Sequence, residues 1–381
     1  MKSVSIIGAG ISGLYLANLF KNNKNYKVTI YEKKDSIEIN EGYGIQLSVN
    51  SVKLLNQIGF NSLTDKEKFH PKKIDFYDLK NLKKICDLEI SKFNSENCRY
   101  TTLKRSVLIN FLKKDLENFI KTGRNISKID HQDQKISITF ENHENIECDY
   151  LIISDGVFSK SKSLISNSLV KPKYNQSLAI RGILNDITND IERNNISLFL
   201  NSNFHHVIYP VNSGKDFNFI AIMKYDLSFE EQNNSSLLNQ ESFIQRVLKK
   251  IPPDAKETIK NLKSLKIFPV FVSEDFYRSQ NENIHLIGDA FFAFPPSFAQ
   301  GASQSIEGAY ELFKNIENNT QYNFFKNRVS KTKMVNIRSK FNQFAFHLSN
   351  PLTTFIRNIF LKRLIKNKKF LEYYLDRIYK T

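Results

Sequence analysis

Three glycines near the N-terminus constrain this chain more than any other feature. Gly8, Gly10 and Gly13 follow an apolar run over residues 4–7 and open a segment, 14–22, with Leu14, Leu16, Ala17 and Phe20 on one helical face. Residues 28–31 read as a second buried strand that ends at Glu32. Strand, glycine turn, helix and strand in that order form a βαβ unit and demand a parallel sheet. Each glycine has its own task. Gly8 permits the tight turn, Gly10 lets the backbone approach a pyrophosphate, and Gly13 lets helix and strand pack closely. Ile11 and Ser12 sit at the helix N-terminus, whose free N–H groups favour phosphate charge. Glu32, with Lys33 beside it, is placed to accept from ribose hydroxyls, which favours FAD or NAD over NADP. The plain alternative is a glycine turn that serves packing alone.

The rest of the chain reads as two interleaved sheet regions. A helix is expected over 49–60 with Gly59 as its stop, strands over 73–93, a helix over 105–119, a β-meander over 125–148 and a buried strand over 150–154. Strands follow at 179–185, 196–200, 206–211 and 217–223, then a helix near 241–251 and a strand over 284–287. From 301 the chain reads as helical to its end. The dinucleotide domain is therefore expected in three pieces, 1–72, 95–170 and 277–350. A substrate domain takes 73–94 and 171–276, and residues 351–381 form a basic C-terminal helical tail.

The formal net charge of +16 invites a nucleic-acid partner, but its distribution argues against one. Residues 325–381 hold 14 Lys or Arg against two acids, Glu372 and Asp376, and so carry +12 of the total. A nucleic-acid-binding domain spreads its cations over its main body. Leu352, Phe355, Ile356, Ile359, Phe360, Leu364 and Ile365 recur at helical spacing, with Lys362, Arg363, Lys366, Lys368 and Lys369 clustered among and beyond them. Such a helix either packs on the body with a solvated cationic face or lies on anionic lipid. Residues 1–8 are too short for a signal peptide, and no 18-residue apolar window exists to span a membrane. Cys86, Cys98 and Cys148 make neither a disulfide framework nor a metal-ligand spacing. The expected location is cytoplasmic, either free or peripheral at the inner face of a membrane.

The far end of the chain separates FAD from NAD. Gly288-Asp289-Ala290 follows a buried strand, and Pro295-Pro296-Ser297-Phe298-Ala299-Gln300-Gly301-Ala302 precedes a helix. With the glycine turn, these segments resemble the FAD-dependent aromatic hydroxylases, the single-component flavoprotein monooxygenases, and within them the salicylate-hydroxylase-like members. The resemblance runs over nearly the whole chain in order. It implies an α/β protein with a Rossmann-like FAD-binding domain, an interleaved β-sheet substrate domain and a helical C-terminus. It implies that the segment 42–50, with Gly44 and Gln46, passes near the flavin and that Arg105 meets the FAD phosphates. By the same resemblance Asp155-Gly156 forms a second fingerprint, associated with FAD and the nicotinamide donor. Asp289 binds the ribityl chain, and Gly301 and Ala302 start a helix whose N–H groups stabilise charge on the flavin. Two departures stand out. Many relatives have His-Pro where this chain has Phe292-Ala293, and an Arg where Lys160, Ser161 and Lys162 follow Ser159. The absence of Trp argues against the related flavin halogenases and geranylgeranyl-reductase-like enzymes, which carry it in their motifs.

The resemblance further implies that NADH or NADPH reduces FAD, O₂ adds at the flavin ring, and the hydroperoxide delivers one oxygen to a small aromatic or phenolic substrate. The alternatives are an oxidase or reductase without oxygen insertion, or a hydroxylase of a membrane-soluble quinone precursor. A phenolic substrate needs a base, for which His205, His206 and Tyr209 are candidates. On strand alternation His205, Val207 and Tyr209 share one face and His206 takes the other. Arg181 suits a substrate carboxylate, and Pro296 lies in the loop expected at the active site.

Overall fold

The computed structural model describes residues 1–37, 43–131, 135–166, 170–187 and 191–379. Gly42 lies outside the described residues. The first sheet is parallel throughout. Strands Ile284–Leu286, Tyr150–Ile153, Lys2–Ile7, Tyr26–Tyr31 and Ile120–Lys121 lie side by side in that order. Tyr150–Ile153 is buried on every residue and Lys2–Ile7 on its last four, because both faces of the sheet are covered. Helix Ile11–Phe20 buries eight of its ten residues, so it is a core helix, packed against helix Gly301–Glu317. A three-stranded meander of Ile126–Asp130, Ile136–Phe140 and Asn145–Cys148 precedes Tyr150.

The second sheet has seven strands in the order Lys263–Val272, Lys173–Leu184, Asp216–Lys224, Phe204–Val211, Ile196–Asn201, Lys73–Asp78, Lys84–Glu89. Segments far apart in sequence meet in it, and the junction between Lys73–Asp78 and Ile196–Asn201 is its one parallel pairing among the described residues. One face is sealed by helices Glu241–Lys249 and Pro253–Lys260 through Phe243, Val247, Ala255 and Ile259. The opposite face packs Phe76, Leu198, Leu200 and Val211 toward the C-terminal helices.

Several elements end differently from the sequence expectation. The helix expected over 105–119 stops at Lys113, because Lys114 turns extended and Asp115 takes a left-handed φ of 61°. The helix expected over 49–60 stops at Asn56, and Gly59 closes the turn with φ of 91°. Strand Lys263–Val272 went unread because its first half is polar and Pro269 interrupts it; as an edge strand it tolerates both.

The C-terminal segment returns to the body. Helix Gln321–Phe346 is followed by helix Pro351–Leu364 and a last turn, Arg377–Tyr379, with Leu375 and Ile378 buried. Carbonyls at a helix end lack intrahelical donors. Here Arg338 donates to Tyr374 O at 2.6 Å and Tyr373 O at 2.9 Å, and Lys331 donates to Arg377 O at 2.8 Å. Part of the basic character of this region therefore serves architecture.

Candidate active site

The glycine turn is built for a ligand as well as for packing. Gly8 has φ of 101°, and a Cβ there would stand 2.7 Å from Ser154 O; a Cβ on Gly13 would stand 2.2 Å from Gly8 O. Those two glycines are required by the protein's own packing. Gly10 is different: a Cβ on it would meet nothing within 4 Å. The space lies at the mouth of helix Ile11–Phe20, where no side chain caps the first-turn N–H groups. Glu32 is pinned at the side of the turn, accepting from Ala9 N–H at 2.8 Å and Lys34 N–H at 3.1 Å. Lys33 next to it is exposed.

Four other segments converge on this turn. Gly288, with φ of 60°, comes so near Ser12 that a Cβ would lie 2.6 Å from its Oγ, which sets Asp289 beside the first helix N-terminus. The Asp289 side chain is open to solvent there, yet protein crowds it enough to push its pKa up, with the Arg105 guanidinium pulling the other way. Arg105 is itself fixed at the start of helix Arg105–Lys113, its N–H donating to Tyr43 O at 2.7 Å. Ser154 ties the second fingerprint to the first, donating to Ile7 O at 2.8 Å and Gly8 O at 2.9 Å. Asp155 accepts from Ser161 N–H at 3.2 Å, and Gly156 takes φ of 87°. Lys162 is buried near Asp155; burial lowers its pKa and the Asp155 charge opposes that. Gly301 and Ala302 begin helix Gly301–Glu317, a second N-terminus without a side-chain cap and with open space at Gly301.

The sheet face next to these segments carries a second group of polar side chains. Gly44 is pressed against it: a Cβ would lie 2.7 Å from Asn218 and 2.8 Å from the Tyr209 ring, and Gly44 N–H donates to Asn218 Oδ1 at 2.5 Å. Gln46 Oε1 accepts from Tyr100 OH at 2.8 Å, and Gln46 also hydrogen-bonds Tyr209. Burial raises the Tyr209 phenol well above its ordinary value, against the pull of Arg181, Gln46 and Asn218. The Arg181 guanidinium lies 5.9 Å from the Tyr43 ring centroid. Pro296 is half-buried in the loop before helix Gly301–Glu317, where Ala299 takes φ of 50°.

Gly44, Gln46, Arg181 and Tyr209 thus come together. His205 shares their sheet face, but its Nδ1 lies 2.7 Å from His347 Nε2 and its ring packs on Phe346. Burial first, then the His347 ring, holds His205 well below the usual histidine value. His206 points into the helix-covered core, its ring centroid 4.5 Å from Phe199 and 5.2 Å from Phe219. Asn218 and Tyr100 were missed by sequence reasoning. Asn218 stands opposite Tyr209 only through the antiparallel register, and Tyr100 arrives from another segment.

This geometry agrees with what known proteins show. The family model described as FAD binding domain matches residues 1–321. The chain belongs to that family, the FAD-dependent aromatic hydroxylases. It is similar to a 3-hydroxybenzoate 6-hydroxylase of Klebsiella oxytoca, 24% identical over 324 residues, covering 81% of this chain and 78% of that one. It is also similar to a salicylate hydroxylase of Pseudomonas putida, 22% identical over 333 residues, covering 81% and 75%. Among solved structures, Klebsiella pneumoniae HpxO complexed with FAD and uric acid superimposes with a TM-score of 0.81 at 16% identity, covering 99% of this chain and 96% of that one. A salicylate hydroxylase substrate complex gives 0.76 at 16% identity, covering 95% and 93%. The two-domain hydroxylase fold and FAD as cofactor follow for this chain.

Proposed function

We propose that this protein is a monooxygenase that uses NAD(P)H and O₂ to hydroxylate a small aromatic or phenolic compound. One observation carries the reading: two uncapped helix N-termini, Asp289 and Arg105 gather at the glycine turn, beside a largely apolar sheet face with few polar groups. Bound FAD supplies electron transfer from the nicotinamide and activation of O₂. The chain supplies the rest. The space above Gly10 and the N–H groups at Ile11 and Ser12 take the pyrophosphate, with Arg105 as a countercharge. Glu32 serves the ribose and Asp289 the ribityl hydroxyls. Gly301 and Ala302 offer N–H groups to a developing negative charge.

Substrate orientation follows from the sheet register. Arg181 stands between Lys266 and Ile220 in a cross-strand row that continues through Val207, Leu198 and Phe76. A ring lies on the apolar part of the row while a carboxylate pairs with the guanidinium beside it. Tyr209 is protonated at neutral pH and acts as a donor or a positioning group. His205 is held neutral and spends its Nδ1 on His347, so it supports this face from behind. Water exclusion, which such chemistry requires, falls to Phe346, Leu375 and Tyr379 on the closing C-terminal side.

The test is a screen of aromatic acids, phenols and quinone precursors for stimulated NAD(P)H oxidation by FAD-loaded protein, with product masses measured. With a carboxylate substrate, Arg181→Met raises KM at least tenfold with a smaller change in kcat. A KM unchanged by that substitution removes Arg181 from the site, and failure of the protein to retain FAD removes the whole reading.

A further inference from the structure

The outer side of the C-terminal helix pair is apolar where a surface helix is ordinarily polar. Ile337, Phe341 and Phe344 recur at four- and three-residue spacing on helix Gln321–Phe346 and make one stripe. Leu352, Phe355 and Phe360 make another on helix Pro351–Leu364. All six are between 58% and 67% exposed, and the two stripes flank the turn at 347–350. Single exposed apolar residues need no explanation, but six large ones on two consecutive helices mark an interaction surface.

Charge selects the partner. From residue 318 to residue 371 the chain has 12 Lys or Arg and no Asp or Glu. Arg328, Arg338 and Arg357 are buried and hold the architecture; Arg357 donates to Ala345 O, tying the outer helix to the long one. Lys340, Lys362, Arg363, Lys366 and Lys369 are exposed around the apolar stripes. Arg363 falls on the stripe itself, one turn beyond Phe360. A second copy of this chain would bring the same cations face to face, and like charges at an isologous contact repel. Anionic lipid satisfies both components: phenylalanines enter the acyl boundary and long cationic side chains reach the headgroups. No helix among the described residues is long and apolar enough to cross a membrane, so contact is at the surface.

We propose that helices Gln321–Phe346 and Pro351–Leu364 dock this protein on an anionic lipid bilayer. A cavity of about 1000 Å³ lies between the outer helix and strand Lys84–Glu89, lined by Ile85, Leu88, Phe93, Ile365 and Tyr379. The docked surface stands beside this hollow, whose wall also carries the charged Asp87, Glu89, Lys362 and Lys366 and includes Tyr379, a neighbour of Tyr100.

The experiment is sedimentation of full-length, FAD-loaded protein with phosphatidylcholine vesicles, with and without phosphatidylglycerol. Binding is expected only with phosphatidylglycerol and is expected to fall at high salt. The exposed double variants F355E/F360E and K362E/R363E should each weaken it at least tenfold, while flavin absorbance stays that of the unchanged protein. No binding to either vesicle, equal binding to both, or undiminished binding by both variants overturns the proposal. A concentration-dependent dimer that F355E/F360E abolishes, without lipid binding, assigns the surface to a second copy and overturns it as well.

Discussion

At the scale of residues, the three glycines of the first turn separate packing from binding. Gly13→Ala places a Cβ against Gly8 O and is expected to cost about 1–3 kcal/mol of stability, along with FAD. Gly10→Ala has room for its methyl and should leave the melting temperature of the FAD-free protein nearly unchanged, while weakening FAD binding at least tenfold. Thermal unfolding and a flavin-fluorescence titration check both; equal loss of stability in the two variants would remove the distinction. His206 makes a second residue-scale case. Stacked between Phe199 and Phe219, it is driven by burial from 6.5 to about 3. Between those values the unfolded chain binds a proton that the folded chain refuses. Stability is therefore full above pH 6.5 and falls as pH drops toward 3, by at most about 1.4 kcal/mol per pH unit for this one group. His206→Phe should be neutral or stabilising at pH 7 and should flatten the acid limb of a stability–pH curve measured by urea unfolding. An unchanged slope would place its proton elsewhere.

At the scale of elements, helix Gly301–Glu317 holds the cofactor domain together. Arg328 from the next helix reaches Glu307 Oε1 at 3.2 Å and donates to Gln304 O at 2.6 Å, while Glu307 accepts from Asn50 Nδ2 at 2.7 Å. Three helices meet at one buried carboxylate. Arg328→Met leaves that charge with Lys331 and the Asn50 amide and should cost about 3 kcal/mol in urea unfolding. The double variant Arg328→Met with Glu307→Gln should recover part of the loss, and strict additivity would mean the groups do not couple. Elements also show what was legible beforehand. The glycine turn, Asp289 and Gly301 are local signals: each motif sits within a few residues of its own strand and helix, so the FAD side could be read from the chain. The substrate face could not. Tyr209 meets Asn218, Gln46 and Tyr100 through strand register and long-range pairing, which no local pattern encodes. Strand Lys263–Val272 and helix Pro253–Lys260 escaped for a related reason, since edge position and burial against a sheet override their weak sequence patterns.

At the scale of the whole molecule, the chain leaves the parallel sheet for the seven-stranded sheet twice and returns each time. The parallel sheet gathers two helix N-termini and an acid at one place, and the seven-stranded sheet adds an apolar face that carries Arg181. The C-terminal helices close the far side, and their last turn is locked by Arg338 and Lys331. The basic character of the sequence divides accordingly: buried arginines hold that closure, and exposed lysines are left for an external surface. The central claim is that this assembly inserts oxygen into an aromatic ring. Turnover under isotopically heavy O₂, with the product analysed by mass spectrometry, tests it most directly. A product carrying one heavy oxygen atom from O₂ is predicted. An oxidised product with no label, or NAD(P)H consumption that yields peroxide alone with every aromatic compound offered, would contradict it.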